Sequence, residues 1–221
     1  MEAKVALSIM CADPLNLGEA LDEIRLSGAH YVHADVMDGT FVNNITLGFD
    51  QIGRIAETSA VPVEVHLMVG NLDIALNEVL LTACTHVSFH IEATSQPVKY
   101  LTQIRQAGKR AGIALNPHAS PEFLANIAPY VDYVLVMTVE PGFAGQKFLE
   151  GSAPKIGRIR ELIGPNKDIV VDGNIGSDTA AICRSYGANI FVLGTTAAYS
   201  DKHVDMDKLN RFRQAIGLKP D

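Results

Sequence analysis

The chain has 221 residues, 48% of them hydrophobic and 19% charged, with a formal net charge of -7. That length suits a single domain over residues 1–221 at the small end of the β/α-barrel class. The acidic balance argues against a nucleic-acid partner, which needs clustered Lys and Arg, but not against a small anion held by a metal and backbone N–H groups. No apolar run approaches the ~20 residues of a membrane span. The start, Met1-Glu2-Ala3-Lys4, enters strand-like sequence without the apolar stretch of a signal peptide. Cys11, Cys84 and Cys183 are widely spaced and form no C-x-x-C pair, so a reducing, cytoplasmic setting is expected.

In chain order, the first strand is expected over residues 4–9. Asp13-Pro14 then offers a helix N-cap with proline at the first helical position, and Gly28 offers a stop. The second strand, 31–36, ends in His33-Ala34-Asp35-Val36-Met37-Asp38-Gly39. Strand side chains alternate between faces, so His33, Asp35 and Met37 share one of them. The third, 63–67, carries Glu64-Val65-His66-Leu67-Met68 with the same alternation, and Asn71 can cap the helix after it. A fourth strand is expected over 86–90, ending at His90, and a fifth over 111–115 after a stop at Gly108. Ser120-Pro121-Glu122 repeats the capping device before a sixth strand, 133–137, that ends in Met137. The seventh, 169–172, ends in Asp172, with Ser177 as a cap and Gly187 as a stop; the eighth, 190–193, runs into Gly194-Thr195-Thr196.

Eight strand–helix units without a linker predict a closed (β/α)8 TIM barrel, and the near-continuous hydrophobicity of the strands predicts that they are parallel. The alternative, a doubly wound open sheet, lacks its glycine-rich fingerprint after the first strand. In a barrel the chemistry belongs at the carboxyl ends of the strands. There His33, Asp35, His66 and Asp172 converge if their shared faces point inward. Two imidazoles and two carboxylates form a donor set for one divalent transition metal. A lone strand histidine is commonly a core residue bonded to a carbonyl, but four such groups at three matching strand ends go beyond that. Glu64 is placed to support a ligand from behind, whereas His90 has no evident partner. Met37, Met68 and Met137 suggest an apolar lining. The glycine-rich turns Pro141-Gly142-Phe143-Ala144-Gly145-Gln146, Gly173-Asn174-Ile175-Gly176-Ser177 and Gly194-Thr195-Thr196 come after strands six to eight, where this architecture holds phosphate.

With Ser8 in the first strand, HADVMDGTFVNN (33–44), VEVHLMV (63–69), SFHIEA (88–93), MTVEPGFAGQKF (137–148), VVDGNI (170–175) and VLGTT (192–196), the chain resembles the ribulose-phosphate 3-epimerase family over almost its whole length. The resemblance implies a barrel enzyme that inverts the carbon beside a ketose carbonyl, with one divalent metal (zinc, manganese, iron or cobalt) and a homo-oligomeric assembly. It implies His33, Asp35, His66 and Asp172 as metal ligands, with Asp35 and Asp172 also the paired acid and base acting through an enediolate. Ser8, His66, Gly142, Phe143, Ala144, Gly145, Gly173, Asn174, Gly194 and Thr195 match its substrate contacts. The family usually has proline at 43, glycine at 144 and 174 and serine at 195, where this chain has Asn43, Ala144, Asn174 and Thr195. Three of these changes, and MTVEPGFAGQ, resemble the allulose-6-phosphate 3-epimerase branch. The resemblance therefore implies D-ribulose 5-phosphate as substrate, with D-allulose 6-phosphate as the alternative.

Two rivals stand beside this reading. A Schiff-base aldolase needs a lysine at a strand end, and only Lys147 comes near the rim; a decarboxylase-like Asp-x-Lys-x-x-Asp pattern is absent from Asp35-Val36-Met37-Asp38. A sugar-phosphate-binding barrel without activity is the non-catalytic alternative, against which the pair Asp35 and Asp172 counts.

Overall fold

The computed structural model describes residues 1–218. Eight parallel strands succeed one another around a closed barrel: β1 (Lys4–Ser8), β2 (Tyr31–Met37), β3 (Val63–Met68), β4 (His86–His90), β5 (Arg110–Leu115), β6 (Tyr133–Met137), β7 (Asp168–Asp172) and β8 (Ile190–Leu193), with β8 pairing back onto β1. The expected strands hold to within one residue at each end. Among the described residues seven α-helices cover the outside: α1 (Leu17–Leu26), α2 (Phe49–Thr58), α3 (Leu72–Val79), α4 (Pro97–Gln106), α5 (Ser152–Ile163), α6 (Ser177–Ser185) and α7 (Met206–Ala215). A two-residue hairpin, β9 (Tyr199–Ser200) with β10 (His203–Val204), precedes α7. No helix among the described residues is long and apolar enough to cross a membrane.

Three capping expectations shift. Asp13 does not cap α1: its carboxylate accepts from Leu15 N and from Asn16 Nδ2, closing a local turn, and Asn16 takes the N-cap position. Ser177 is the first helical residue of α6, with Gly176 before it. Ser120 does cap, accepting from Glu122 N, but it opens only a 3-10 turn over Pro121–Leu124, with a second over Ala128–Tyr130. Pro129 has no N–H to give and sits inside the second turn, so β5 and β6 are joined without a continuous α-helix. Asn71 caps α3 as expected, accepting from Ile74 N, and Gly28, Gly108 and Gly187 take positive φ just past their helices.

The packing is divided. One apolar layer lies between strands and helices, with Val5, Leu7, Val32, Val65, Phe89, Ile113 and Val134 all buried there. Inside the barrel a separate apolar group, Leu135, Met137, Val170, Ile190 and Val192, comes from β6 to β8. The facing interior wall, β2 to β4, carries His33, Asp35, Glu64, His66, Ser88 and His90, all buried. Hydrophobic side chains thus fill half of the barrel while buried polar groups face them and must satisfy one another.

Candidate active site

Strand register assembles the site. Ser8 pairs with His33, Asp35 with His66, His66 with Ser88, and Met137 with Asp172, so alternate residues at the carboxyl ends enter the barrel together. His33, Asp35, His66 and Asp172 form a group whose ligand atoms all lie within 4.8 Å of one another and which could hold a metal ion. His33 Nε2 is 3.0 Å from Asp35 Oδ1 and 3.5 Å from Asp172 Oδ2. His66 Nδ1 is 2.9 Å from Asp35 Oδ1 and 3.9 Å from Asp172 Oδ2. Both imidazoles are fully buried, while Asp172, from the wall otherwise lined by apolar groups, keeps 16% of its side chain exposed.

The electrostatics of this cluster suit a cation. Among the described residues, no Lys or Arg lies within ion-pair distance of Asp35, Asp172 or Glu64; their ion-pair partners are imidazoles. Burial alone would raise the Asp35 carboxyl, but the His33 charge and hydrogen bonds from His33 and His66 hold it well below the usual range. Burial would likewise lower His33, and the Asp35 and Glu64 carboxylates hold it well above its ordinary value. The cluster therefore keeps a proton where a divalent cation could take its place. Cys11 lies on the same pocket wall, but burial pushes its thiol up to about 11, so it adds no thiolate at neutral pH. The available donors are two imidazole nitrogens and carboxylate oxygens, which fit zinc, manganese, iron or cobalt.

Glu64 stands behind His33, as expected. One of its oxygens pairs with His33 Nδ1; the other accepts from Ser88 Oγ at 2.8 Å and from Tyr133 Oη at 3.0 Å. Burial opposes its charge, yet His33 brings the carboxyl down to about 2. His90, left without a partner by the sequence, sits with Nε2 2.9 Å from His66 Nε2 under the ring of Phe41. His86, Ser88 and His90 alternate along β4, so their common face could have been read from spacing; their partners on other strands could not.

A pocket opens above the cluster. Ser8, Asp35, Met37, Met68, Met137 and Asp172 lie at its base, and Gly142, Phe143, Ala144, Gly145, Gly173, Asn174, Gly194 and Thr195 lie around it. Of the expected substrate contacts only His66 is missing from its wall, because it is fully buried beneath. Met10, Cys11, Val139 and Val192 line it unforeseen. Two of these, Met10 and Cys11, come from the 3-10 turn directly after β1. No lysine among the described residues lines the pocket, and Lys147 lies outside it.

The loops above the strands are pinned. Thr46 Oγ1 donates to Asp35 O at 2.6 Å and accepts from Met37 N at 3.0 Å, while Asn44 Nδ2 reaches across to Gly142 O at 2.7 Å. Asp38 accepts the N–H groups of Thr40, Phe41 and Gly70. At the opposite rim Thr196 Oγ1 donates to Asn174 Oδ1 at 2.6 Å, with Asn174 at φ +51°. The N–H groups of Asn174 and Thr196 donate to no oxygen among the described residues, and that of Thr195 meets only the Cys11 sulfur. Sulfur is a weak acceptor, so all three N–H groups have capacity left for an anion.

The sequence model of the ribulose-phosphate 3 epimerase family matches residues 4–198. A ribulose-phosphate 3-epimerase of Methanocaldococcus jannaschii is 38% identical over 192 residues, covering 86% of this chain and 81% of its own. One of Bacillus subtilis is 35% identical over 196 residues, covering 87% and 90%. Among solved structures, N-(5'-phosphoribosyl)anthranilate isomerase from Pyrococcus furiosus superposes with a TM-score of 0.66 at 14% identity, covering 98% of this chain and 99% of its own. A mutant tryptophan synthase alpha-subunit from Pyrococcus furiosus reaches 0.68 at 11% identity, covering 99% and 100%. Those two likenesses bear on the barrel alone.

Proposed function

The chain belongs to the ribulose-phosphate 3 epimerase family, a family of carbohydrate epimerases, and from that premise we propose that it inverts C3 of a ketose phosphate by proton transfer between two carboxylates. The observation that carries the reading is the convergence of Asp35, from β2, and Asp172, from β7, on one small cluster at the base of the pocket. Inversion requires a proton to leave one face of C3 and another to arrive on the opposite face. A single base would have to cross the substrate, whereas two acids from separate parts of the barrel wall need not. His33 and His66 keep Asp35 charged, so it serves as base toward one epimer while Asp172 delivers the proton, and the roles exchange for the other. His33, Asp35, His66 and Asp172 are the residues that would hold the metal. A divalent ion there supplies positive charge for the enediolate that develops on the substrate oxygens.

The remaining residues orient and shield. Met37, Met68 and Met137, buried to 5% exposure or less, offer an apolar surface to the carbon skeleton and exclude water from the carbanion-like face. Ser8 Oγ lies 3.4 Å from Asp35 Oδ2, where a substrate hydroxyl can compete for it. The N–H groups of Asn174, Thr195 and Thr196 receive the phosphate.

Replacement of Asp172 by Asn should lower kcat by at least ~10²-fold, the usual worth of one acid–base group. Near-normal turnover of the metal-loaded variant sinks the two-carboxylate scheme. Turnover in heavy water should place deuterium at C3.

D-ribulose 5-phosphate, giving D-xylulose 5-phosphate, is the substrate that the relatives support. The Asn174–Thr196 bond and the replacements Ala144 and Thr195 are all on the phosphate side of the pocket, and they favour a second reading, D-allulose 6-phosphate to D-fructose 6-phosphate. Comparing kcat/KM for both on one metal-loaded preparation decides between them. We extend the proposal to a single catalytic domain over residues 1–221, cytoplasmic and homo-oligomeric; sedimentation of the purified chain tests the last point.

A further inference from the structure

The two imidazoles of the cluster are backed in different ways. His33 Nδ1 meets a carboxylate, Glu64, which can only accept; Nδ1 therefore keeps its proton when a cation displaces the one on Nε2, the nitrogen that faces the cluster. His66 presents the other nitrogen: Nδ1 faces Asp35 and Asp172, and Nε2 lies 2.9 Å from His90 Nε2. Two imidazole nitrogens at that separation share one proton, so one ring donates and the other accepts. If His90 donates, the His66 proton is driven onto Nδ1, where it blocks a cation. If His66 donates, its Nδ1 lone pair is available. The direction of this one hydrogen bond decides whether His66 can serve as a ligand.

The far end of His90 sets the direction. His90 Nδ1 is buried without a hydrogen-bond partner of its own, and the group facing it is Glu92 Oε2, 3.5 Å away. A bare nitrogen there would set its lone pair against a carboxylate; an N–H is attracted to it. Glu92 is held in place through its other oxygen, which accepts Asn116 N at 3.0 Å. Phe41 covers the His90 ring at a centroid distance of 4.7 Å, and His90 is fully buried, so no solvent replaces the carboxylate.

We propose that Glu92 and His90 form a tautomer relay: Glu92 draws the His90 proton to Nδ1, bare His90 Nε2 then accepts from His66 Nε2–H, and a divalent cation can take the place at His66 Nδ1, which faces Asp35. His90 and Glu92 are positioning residues, acting through His66 without touching substrate. The relay rests on reading the cluster as a metal centre.

The test is a long-range proton–nitrogen correlation spectrum of the zinc-loaded protein labelled with 15N-histidine. The expected result is His90 in the Nδ1–H form and His66 in the Nε2–H form with a zinc-shifted Nδ1. Zinc bound with His90 in the Nε2–H form overturns the relay and leaves the metal centre standing, whereas no zinc-shifted ring nitrogen at all overturns both. Glu92→Gln supplies a second measurement. One amide oxygen cannot accept from both His90 and Asn116, so zinc affinity should fall about tenfold, the lower end for groups that orient a ligand, while the metal-free melting point stays. Unchanged zinc affinity in that variant overturns the relay.

Discussion

At the scale of single residues, the pocket depends on positions where a side chain has no room. Gly173 comes directly after Asp172 with φ +120°, and an added Cβ would lie 2.6 Å from Val139 Cγ2 and 2.9 Å from Val139 N. Backbone cannot move aside as a flexible side-chain tip can, so the peptide carrying Asp172 into the rim would have to shift. Gly145, at φ +83°, meets nothing within 4 Å and would carry only the backbone penalty. Gly173→Ala should therefore lose stability by about 1–3 kcal/mol and also lose turnover. Gly145→Ala should lose about 1–2 kcal/mol, with its kcat closer to that of the parent. Urea denaturation with steady-state kinetics checks both, and equal damage from the two substitutions contradicts the steric account. Isolated residues were legible in the sequence to different depths. His33, Asp35 and His66 followed from strand alternation, but the meeting of His66 with His90, like that of Tyr133 with Glu64 across 69 positions, depends on side chains projecting from different strands.

At the scale of elements, the amino-terminal ends of the strands hold the barrel while the carboxyl ends hold the site. Asp168, opening β7, is 6% exposed; it receives Arg110 Nη1 from β5 at 2.8 Å and Asn189 Nδ2, just before β8, at 2.7 Å. Asn189 Oδ1 in turn accepts Ile169 N at 2.8 Å. Burial opposes the Asp168 charge, but the bonds from Asn189 and Arg110 hold its carboxyl below the ordinary value. A group depressed in this way stabilises the fold fully above its unfolded value of about 4 and loses that contribution as pH falls through the folded one. Asp168→Asn should cost about 1–2 kcal/mol at pH 7, discounted for the half-exposed Arg110. Its stability should fall less steeply than the parent's below about pH 4. Thermal melts across pH 3–7 measure this, and parallel acid limbs contradict it. The elements themselves were readable because hydrophobic runs mark strands and Gly, Asn and Pro mark helix ends. The β5–β6 connection differs from its expectation because a capping serine does not reveal how far the helix behind it runs, and here it ends at Leu124.

At the scale of the whole molecule, the barrel concentrates buried carboxylates that a cation would relieve, so metal and fold are linked. Zinc or manganese at 100 times its Kd should stabilise the chain by about 2.7 kcal/mol, which is roughly 5–11 °C in Tm for a domain of this size. A chelator should reverse the gain, and His66→Ala should diminish it. No shift in the parent, or an undiminished one in the variant, contradicts the placement of the cation. By itself, the sequence determined the eight strands, their parallel run and the alternation that turns His33, Asp35, His66 and the methionines inward, because these depend on periodicity and burial within a few residues. Tertiary structure alone decided that the polar side chains of β2–β4 face the apolar ones of β6–β8, that Asp172 reaches across from the apolar wall, and that Asn44 ties one loop to Gly142 on another. Those relations arise only when the barrel closes and brings strands more than a hundred residues apart within hydrogen-bonding reach, a step that no local pattern encodes.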